Sequence, residues 1–245
     1  MASNGRRQKS LQGQAAVVTG ASRGIGLAIC DALADAGCDL AITARNREHL
    51  QNAAEALKLR GARVLHQVSD VSSEESIASF FGAVKSSFGK VDILINNAGI
   101  AHKLAPVSDL APQLWRQVID INLTGTFLCS HFCLPLMKAG GTVVNNLSVA
   151  ATGSFPGHSG YNASKYGALG LTSTMREELR EKGIRVIALI PGPTDTEIWE
   201  QFWPERPRER MMTAESVAEA VIACLTLPAN SVVEEIKIRP IGGTL

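Results

Sequence analysis

The chain has 245 residues, of which 45% are hydrophobic and 19% charged, with a formal net charge of +1. That length admits one large α/β domain or two small ones, and the apolar content suffices for a substantial core. The near-neutral balance excludes the global field that draws a protein to nucleic acid or an anionic membrane, so any anionic ligand must be held by local groups.

The first ten residues, MASNGRRQKS, are polar and basic and lack periodicity, which predicts a disordered tail at 1–10. From Gln14 short apolar runs alternate with amphipathic stretches of helical length. The runs predict strands at Ala15–Thr19, Leu40–Thr43, Val64–Gln67, Ile93–Ile95, Thr142–Leu147, Arg185–Ile190 and Glu235–Ile238. Helices are expected between them at Ile25–Ala36, Arg47–Leu59, Glu74–Phe88, Pro112–Met137, Tyr161–Glu181 and Ala214–Leu227. Strands that are short and apolar throughout suit a parallel sheet covered on both faces. Parallel neighbours need helical crossovers, so the alternation predicts a doubly wound α/β fold with seven strands. No Pro/Ser-rich linker or long repeat interrupts it, which makes residues 11–245 one domain.

Five cysteines, Cys30, Cys38, Cys129, Cys133 and Cys224, are scattered without metal-ligand spacing, and no signal peptide precedes them. Cys129 and Cys133 lie one turn apart on an apolar stretch and read as core thiols. A reducing, cytoplasmic setting is expected, with no metal site. No apolar run reaches the roughly 18–20 residues of a membrane span.

The first strand runs directly into Thr19-Gly20-Ala21-Ser22-Arg23-Gly24-Ile25-Gly26 and then a helix. Glycines permit a tight turn and let the backbone approach a pyrophosphate, to which the helix offers free N–H groups and a positive dipole end. The order strand, glycine loop, helix points to a dinucleotide site.

The spacing TGxxxGxG, rather than GxGxxG, resembles the loop of the short-chain dehydrogenase/reductase family in its compact form of about 250 residues. The resemblance covers essentially all the chain after the tail. It implies a Rossmann-type fold, a nicotinamide cofactor, and oxidoreduction between a carbonyl and a secondary alcohol. In the loop it assigns Gly20, Ser22, Arg23, Gly24, Ile25 and Gly26 to cofactor binding.

In dinucleotide folds an acidic residue near the end of the second strand holds the ribose hydroxyls of NAD. Here that position is Ala44, and Arg45 follows. A carboxylate would repel a 2′-phosphate, whereas a guanidinium grips it with forked hydrogen bonds. Arg45 and Arg23 therefore predict NADP(H), and both match positions of NADP-preferring family members. Asp70 and Val71 resemble the family's adenine-binding pair, although Asp70 equally suits a helix cap. The segment Asn96-Asn97-Ala98-Gly99 resembles the stretch that braces the sheet and lines the cofactor ribose, carried here by Asn96, Ala98 and Gly99.

Asn122, Ser148, Tyr161 and Lys165 match the family's catalytic tetrad. Tyr161 and Lys165 are four apart at a helix start and share one face. A tyrosine serves as base near neutral pH only if its pKa drops roughly 2–3 units, about 3–4 kcal/mol. One ammonium about 5 Å away, at an effective dielectric of about 20, supplies on the order of 3 kcal/mol. The resemblance implies that Lys165 also holds the nicotinamide ribose. Ser148 would polarise the substrate oxygen, and the Asn122 main chain would hold a water on the proton path.

Pro191-Gly192-Pro193-Thr194-Asp195-Thr196 resembles the PGxxxT turn that fixes the nicotinamide carboxamide, assigned to Pro191, Gly192, Thr194 and Thr196. The family commonly has an aliphatic residue where Thr194 stands, which leaves its main chain as the contact. A lid is expected around 194–212. Its Trp199, Phe202 and Trp203 either close over a hydrophobic or aromatic substrate or simply pack inward. The run Glu205–Arg210 reads as a solvated loop. His158 and His102 border the pocket without a necessary chemical task.

The leading expectation is an NADP(H)-dependent oxidoreductase acting on a ketone or 3-oxoacyl compound, working as a homo-tetramer or dimer without nucleic-acid or membrane partners. A non-catalytic NADP-binding redox sensor is the alternative. A sugar-nucleotide epimerase would need a longer carboxyl-terminal domain than this chain has room for.

Overall fold

The computed structural model of the chain describes residues 10–201, 203–228 and 230–243. The tail expected at 1–10 falls outside them except for Ser10, as do Phe202, Ala229 and the last two residues. Seven strands form one parallel sheet: β1 (Ala15–Thr19), β2 (Asp39–Ala44), β3 (Val64–Val68), β4 (Ile93–Asn96), β5 (Thr142–Asn146), β6 (Arg185–Pro191) and β7 (Glu235–Ile238). Their spatial order is β3-β2-β1-β4-β5-β6-β7. The chain winds outward from β1 in one direction and, after β3, returns to lay β4 on the other side of β1, with Ala16 opposite Ile93.

Seven α-helices cover the sheet: α1 (Gly24–Asp35), α2 (Arg47–Leu59), α3 (Glu74–Phe88), α4 (Pro112–Ile119), α5 (Gly125–Cys133), α6 (Ser159–Arg180) and α7 (Ala214–Leu225). Strand residues alternate between two layers, as the pleat requires. Ala16, Val18, Leu40, Ile42 and Ile95 pack with Ile29 and Leu33 of α1, Leu50 and Leu57 of α2, and Val217 and Val221 of α7. Val17, Ala41, Leu94, Val143 and Val186 point the other way, onto Ile77 and Phe80 of α3, Cys129 and Cys133 of α5, and Met175 of α6. All five cysteines are free, and burial raises the thiol pKa of Cys129 to about 12.

The single helix expected over Pro112–Met137 is instead four pieces. α4 ends at Ile119, a π-helical turn spans Asp120–Thr124, α5 follows, and a short 3-10 turn covers Leu134–Leu136. A π turn widens the helix by one residue and is a common feature at functional sites. Its cause here is Asn122, whose side chain reaches out of the helix to bind both main-chain groups of Ile100.

Candidate active site

Every strand ends on the same edge, and the order reverses between β1 and β4, so the loops after those strands part to leave a crevice. The crevice is a cavity of about 520 Å³. Of the residues assigned from the sequence to catalysis or cofactor binding, all but Gly26, Asn96 and Asn122 line it. Those three lie beneath its walls, where they hold the lining residues in place.

The glycine loop is clamped by the segment after β4. Thr19 Oγ1 accepts from the backbone N–H of Asn97 and of Ala98, each at 3.0 Å. The Asn97 side-chain amide donates to the carbonyls of Thr19 and Gly20, also at 3.0 Å. A Cβ on Gly20, whose φ is +62°, would lie 2.8 Å from Ala98 Cα. One on Gly26 would run into the Gly20 carbonyl and the Asn97 amide. The two glycines therefore permit the close packing of loop, helix and β4 turn. No side chain caps the start of α1, where Arg23 is the cap residue, so its first N–H groups face the crevice mouth. Asn97, which the resemblance left unassigned, is the central clamp, and Asn146 Nδ2 fixes its Oδ1 at 2.8 Å.

At one end of the cavity, the β2 terminus brings Ala44 and Arg45 into the same lining as Arg23. Asn46 and His49 join them, and the sequence reading missed both. Asn46 caps α2 by accepting from His49 N at 2.9 Å, a capping role that S/T/N/D before a helix announces. Asp70 does not cap α3; Ser73 does, accepting from Ser76 N at 3.2 Å. Asp70 instead takes the Ser72 N–H and hydroxyl at 2.9 and 2.6 Å. Partial burial raises the Asp70 pKa, but those bonds and the nearby Arg45 charge prevail and leave it below the ordinary carboxylate value.

Asn96 belongs to a buried polar chain through the sheet. Its Nδ2 donates to Ser130 Oγ at 3.0 Å and to Asn145 Oδ1 at 2.8 Å, and Asn145 in turn donates to Thr172. Ser130 donates to the Thr126 carbonyl, and Thr126 Oγ1 donates to the carbonyl of Asn122 at 2.8 Å. β4, β5, α5 and α6 are thus tied under the site by one hydrogen-bonded network. Asn122 closes it, donating to Ser164 Oγ at 3.0 Å.

Ser148 follows β5 by two residues and caps a short turn by accepting from Ala150 N at 3.1 Å. Tyr161 and Lys165 rise from the first turns of α6 into the same cavity. The Ser148 side chain is near enough to the Tyr161 phenol to favour its ionised form, and Lys165 Nζ sits 5.6 Å from the Tyr161 ring centre. Lys165 Nζ also donates to the Asn146 carbonyl at 2.9 Å.

The electrostatics differ from the expectation of an acidified phenol. Burial raises the Tyr161 pKa, with the nearby Ser148 side chain opposing it, and burial lowers Lys165 to about 8. Both groups lie out of water, so each is pushed toward its neutral form, and desolvation outweighs the attraction between ammonium and phenolate.

Beyond β6, Thr194 is buried and turns its hydroxyl back onto the Gly192 carbonyl at 3.0 Å, which leaves its main chain toward the cavity. The Thr194 carbonyl accepts the Trp199 indole N–H at 2.8 Å. Trp199 and Trp203 contact edge to face, 6.2 Å between ring centres, and both line the cavity. Leu104, Phe155 and His158 line it as well; the last two fall in the segment Ala151–His158 expected to form this wall, and Leu104 was not anticipated. Burial, and then the neighbouring His102, lower the His158 pKa below the ordinary imidazole value. His102 is not at the pocket mouth as expected but is 2% exposed behind this wall, its Nδ1 on the Lys103 carbonyl at 2.8 Å. The charged run Glu205–Arg210 is not uniformly solvated either. The Arg206 side chain is 5% exposed and paired with Asp195.

Comparison with known proteins agrees with this geometry. The family model for short chain dehydrogenase matches residues 14–207. Farnesol dehydrogenase of Aedes aegypti is 38% identical over 242 residues, covering 94% of this chain and 97% of that protein. Among solved structures, an alcohol dehydrogenase from the archaeon Thermococcus sibiricus, complexed with 5-hydroxy-NADP, superimposes with a TM-score of 0.87 at 33% identity. It is matched over 93% of this chain and 97% of that one. The 3-ketoacyl-(acyl-carrier-protein) reductase of Brucella melitensis, complexed with NADH, gives 0.84 at 28% identity over 93% of this chain and 97% of that one.

Proposed function

The chain belongs to the short-chain dehydrogenase family, and from that premise we propose that it is an NADP(H)-dependent oxidoreductase interconverting a ketone, or a 3-oxoacyl group, and a secondary alcohol. The observation that carries the reading is the convergence of Ser148, Tyr161 and Lys165 on one cavity.

The residues fit a dinucleotide. Gly20, Ser22, Arg23, Gly24 and Ile25 line the cavity at the start of α1, which carries no capping side chain. Gly20, Ser22, Gly24 and Ile25 would hold the pyrophosphate at that helix end. Arg23 and Arg45 would grip a 2′-phosphate, since Ala44 puts no carboxylate there to repel it. Asp70 and Val71 would take the adenine, Ala98 and Gly99 the ribose, and Pro191, Gly192, Thr194 and Thr196 the carboxamide.

When bound, the nicotinamide supplies or accepts the hydride. Ser148 donates a hydrogen bond to the substrate oxygen and favours developing negative charge there. Tyr161 gives its phenolic proton to that oxygen in reduction and takes it back in oxidation. A phenol kept protonated by burial is already in the form that reduction needs. Lys165 Nζ stands 5.6 Å from the centre of the Tyr161 ring, where its charge favours the phenolate. Leu104, Phe155, Trp199 and Trp203 give the substrate wall an apolar and aromatic character that suits a hydrophobic substituent and excludes water.

Trp115, Phe127 and Tyr166, on α4, α5 and α6, are 39, 49 and 45% exposed and support pairing of subunits across these helices as a dimer or tetramer. Among the described residues no helix is long and apolar enough to cross a membrane. Five free thiols support a reducing cytoplasm as the compartment.

The test is absorbance at 340 nm with NADPH and a ketone panel, comparing wild type with Tyr161→Phe. Turnover in wild type alone supports the reading. Turnover in neither, with NADPH still bound, transfers the assignment to a redox sensor.

A further inference from the structure

The segment after β6 is built as a closed loop with a neck and an ionic staple. At the neck, Thr194 and Met212 form a parallel bridge, Asp195 N donates to the Met212 carbonyl at 2.8 Å, and Met212 N donates to the Pro193 carbonyl at 3.0 Å. Just inside it, Asp195 is held from both sides. Its Oδ1 accepts from Arg206 at 3.2 Å, and its Oδ2 accepts from Arg208 Nε at 2.8 Å. The same Arg206 donates to the carbonyls of Thr196 and Pro204, at 3.2 and 3.3 Å. One guanidinium therefore joins the first residues of the loop to its far limb.

We propose that Asp195 is a positioning residue, whose carboxylate, gripped by Arg206 and Arg208, holds the loop from Asp195 to Met211 closed so that Trp199 and Trp203 stand in the substrate wall. Three observations support the assignment. The first is cost. A guanidinium that is 5% exposed, with its Nε lacking a hydrogen-bond partner among the described residues, is a poor source of stability compared with an apolar side chain of similar size. What such a pair supplies is one geometry rather than several. The second is the payload. Trp199 reaches back to the Thr194 carbonyl and packs edge to face on Trp203, so the rings that line the cavity hang directly from the stapled neck.

The third is the presence of rival partners. Glu197 and Glu200 border the same polar cavity of about 340 Å³ as Arg206 and Arg208. Both carboxylates add to the field at Arg208, after Asp195. They ride on the short turn that carries Trp199. With the Asp195 charge removed, the arginines have carboxylates on the moving part of the loop to turn to, and the rings are drawn out of register. The Asp195 charge thus selects among pairings, and its own carboxyl sits below the usual range through the Arg208 hydrogen bond.

The inference rests on the reading of the cavity as the site of carbonyl reduction, but two of its measurements do not need turnover. Trypsin cuts after arginine unless proline follows, so in this loop Arg208 and Arg210 are the scissile positions and Arg206, before Pro207, is not. In wild type, cleavage at those two positions is slow, and in a Trp115→Phe background the half-buried Trp199 is partly shielded from acrylamide while Trp203 is already exposed. In Asp195→Asn, cleavage there is expected to quicken about tenfold as the loop opens, with stronger quenching of tryptophan fluorescence. Asp195→Glu, which keeps the charge, recovers part of the protection. With a turned-over ketone, Asp195→Asn raises the ketone KM about tenfold and leaves kcat within about threefold, the pattern of lost binding rather than lost chemistry. Unchanged cleavage and quenching in Asp195→Asn overturn the proposal, whatever the kinetics. Should that variant not fold, Arg208→Gln decides, because Arg208 is two-thirds exposed. Faster cleavage at Arg210 in that variant supports the staple, and wild-type resistance refutes it. Absence of turnover in wild type, with the protease and quenching results as expected, removes the enzymatic reading and leaves the staple standing.

Discussion

Lys165 donates its ammonium hydrogen bond to the main-chain carbonyl of Asn146 at 2.9 Å and stands 5.6 Å from the centre of the Tyr161 ring. The lysine is thus anchored to the sheet and aimed across the tyrosine ring without direct contact with its hydroxyl. It is also expensive to keep charged there.

That cost has a sign that can be measured. The lysine titrates near 10.5 in the unfolded chain and near 8 in the fold. Between those values the unfolded state binds the proton and the fold does not, so stability rises with pH across the window. Below pH 8 the penalty is complete, about 3 kcal/mol at most from a shift of about two and a half units. Lys165→Met is therefore expected to be more stable than wild type at pH 7, with the advantage shrinking toward pH 10. Above pH 10 the raised Tyr161 titration works in the opposite direction. Urea unfolding of both proteins at a series of pH values checks it; a pH-independent difference contradicts the account.

Arg45→Asp should reverse cofactor preference. It places a carboxylate beside Ala44, at the mouth shared with Arg23. The NADPH dissociation constant is expected to rise at least about tenfold, which corresponds to 1.4 kcal/mol, while NADH binding strengthens or holds. Isothermal titration with both dinucleotides provides the measurement. Equal losses for the two would show that Arg45 does not meet the 2′-phosphate.

Gly26→Ala tests the clamp rather than the ligand contacts. The added methyl meets the Gly20 carbonyl and the Asn97 amide, so loop or helix must shift. Overpacking of this kind costs about 1–3 kcal/mol, and dinucleotide affinity should fall with it. Retained affinity and stability together would mean the loop relaxes freely.

Asn122→Ala removes the side chain that binds both main-chain groups of Ile100 and Ser164 Oγ. Leaving these buried partners unmatched is expected to cost about 2–4 kcal/mol. The variant should also loosen the π turn at residues 120–124 from the Ile100 segment, seen as faster amide exchange there. Wild-type stability and exchange would contradict the role given to this residue.

Thiol chemistry gives a fifth check. Burial raises the pKa of Cys38 and Cys129 to about 12 and that of Cys30 and Cys133 as well. Of the five cysteines, Cys224 alone is not buried. A native-state titration with a chromogenic disulfide at pH 8 should therefore register about one thiol promptly and the others only on unfolding. Prompt reaction of several would show that the core opens more readily than its packing implies.

The strands were legible because most are short apolar runs between helix-length stretches, and observed ends fall within a residue or two of expectation. The glycine loop and the Tyr161/Lys165 pair were legible because their spacing is local. What was not legible depends on distant partners. Nothing between Ile119 and Thr124 breaks an α-helical pattern; the π turn arises from Ile100, twenty-two residues from Asn122. Arg206 sits in a run whose composition reads as solvated, and only the fold brings Asp195 over it. The titration of Tyr161 and Lys165 is set by how completely the surrounding elements exclude water, which a spacing of four residues does not encode.

The π turn at Asp120–Thr124 also constrains how the gene can change. It amounts to one residue more than a regular helix would use, so losing a single codon there would let α4 and α5 fuse. Every side chain downstream would then swing by about 100° around the axis. Leu128, Cys129 and Cys133 would leave the interior, and Phe127 or His131 would be driven toward it. Insertions and deletions tolerated in surface connections are therefore forbidden in this stretch, whose length is fixed more tightly than its composition.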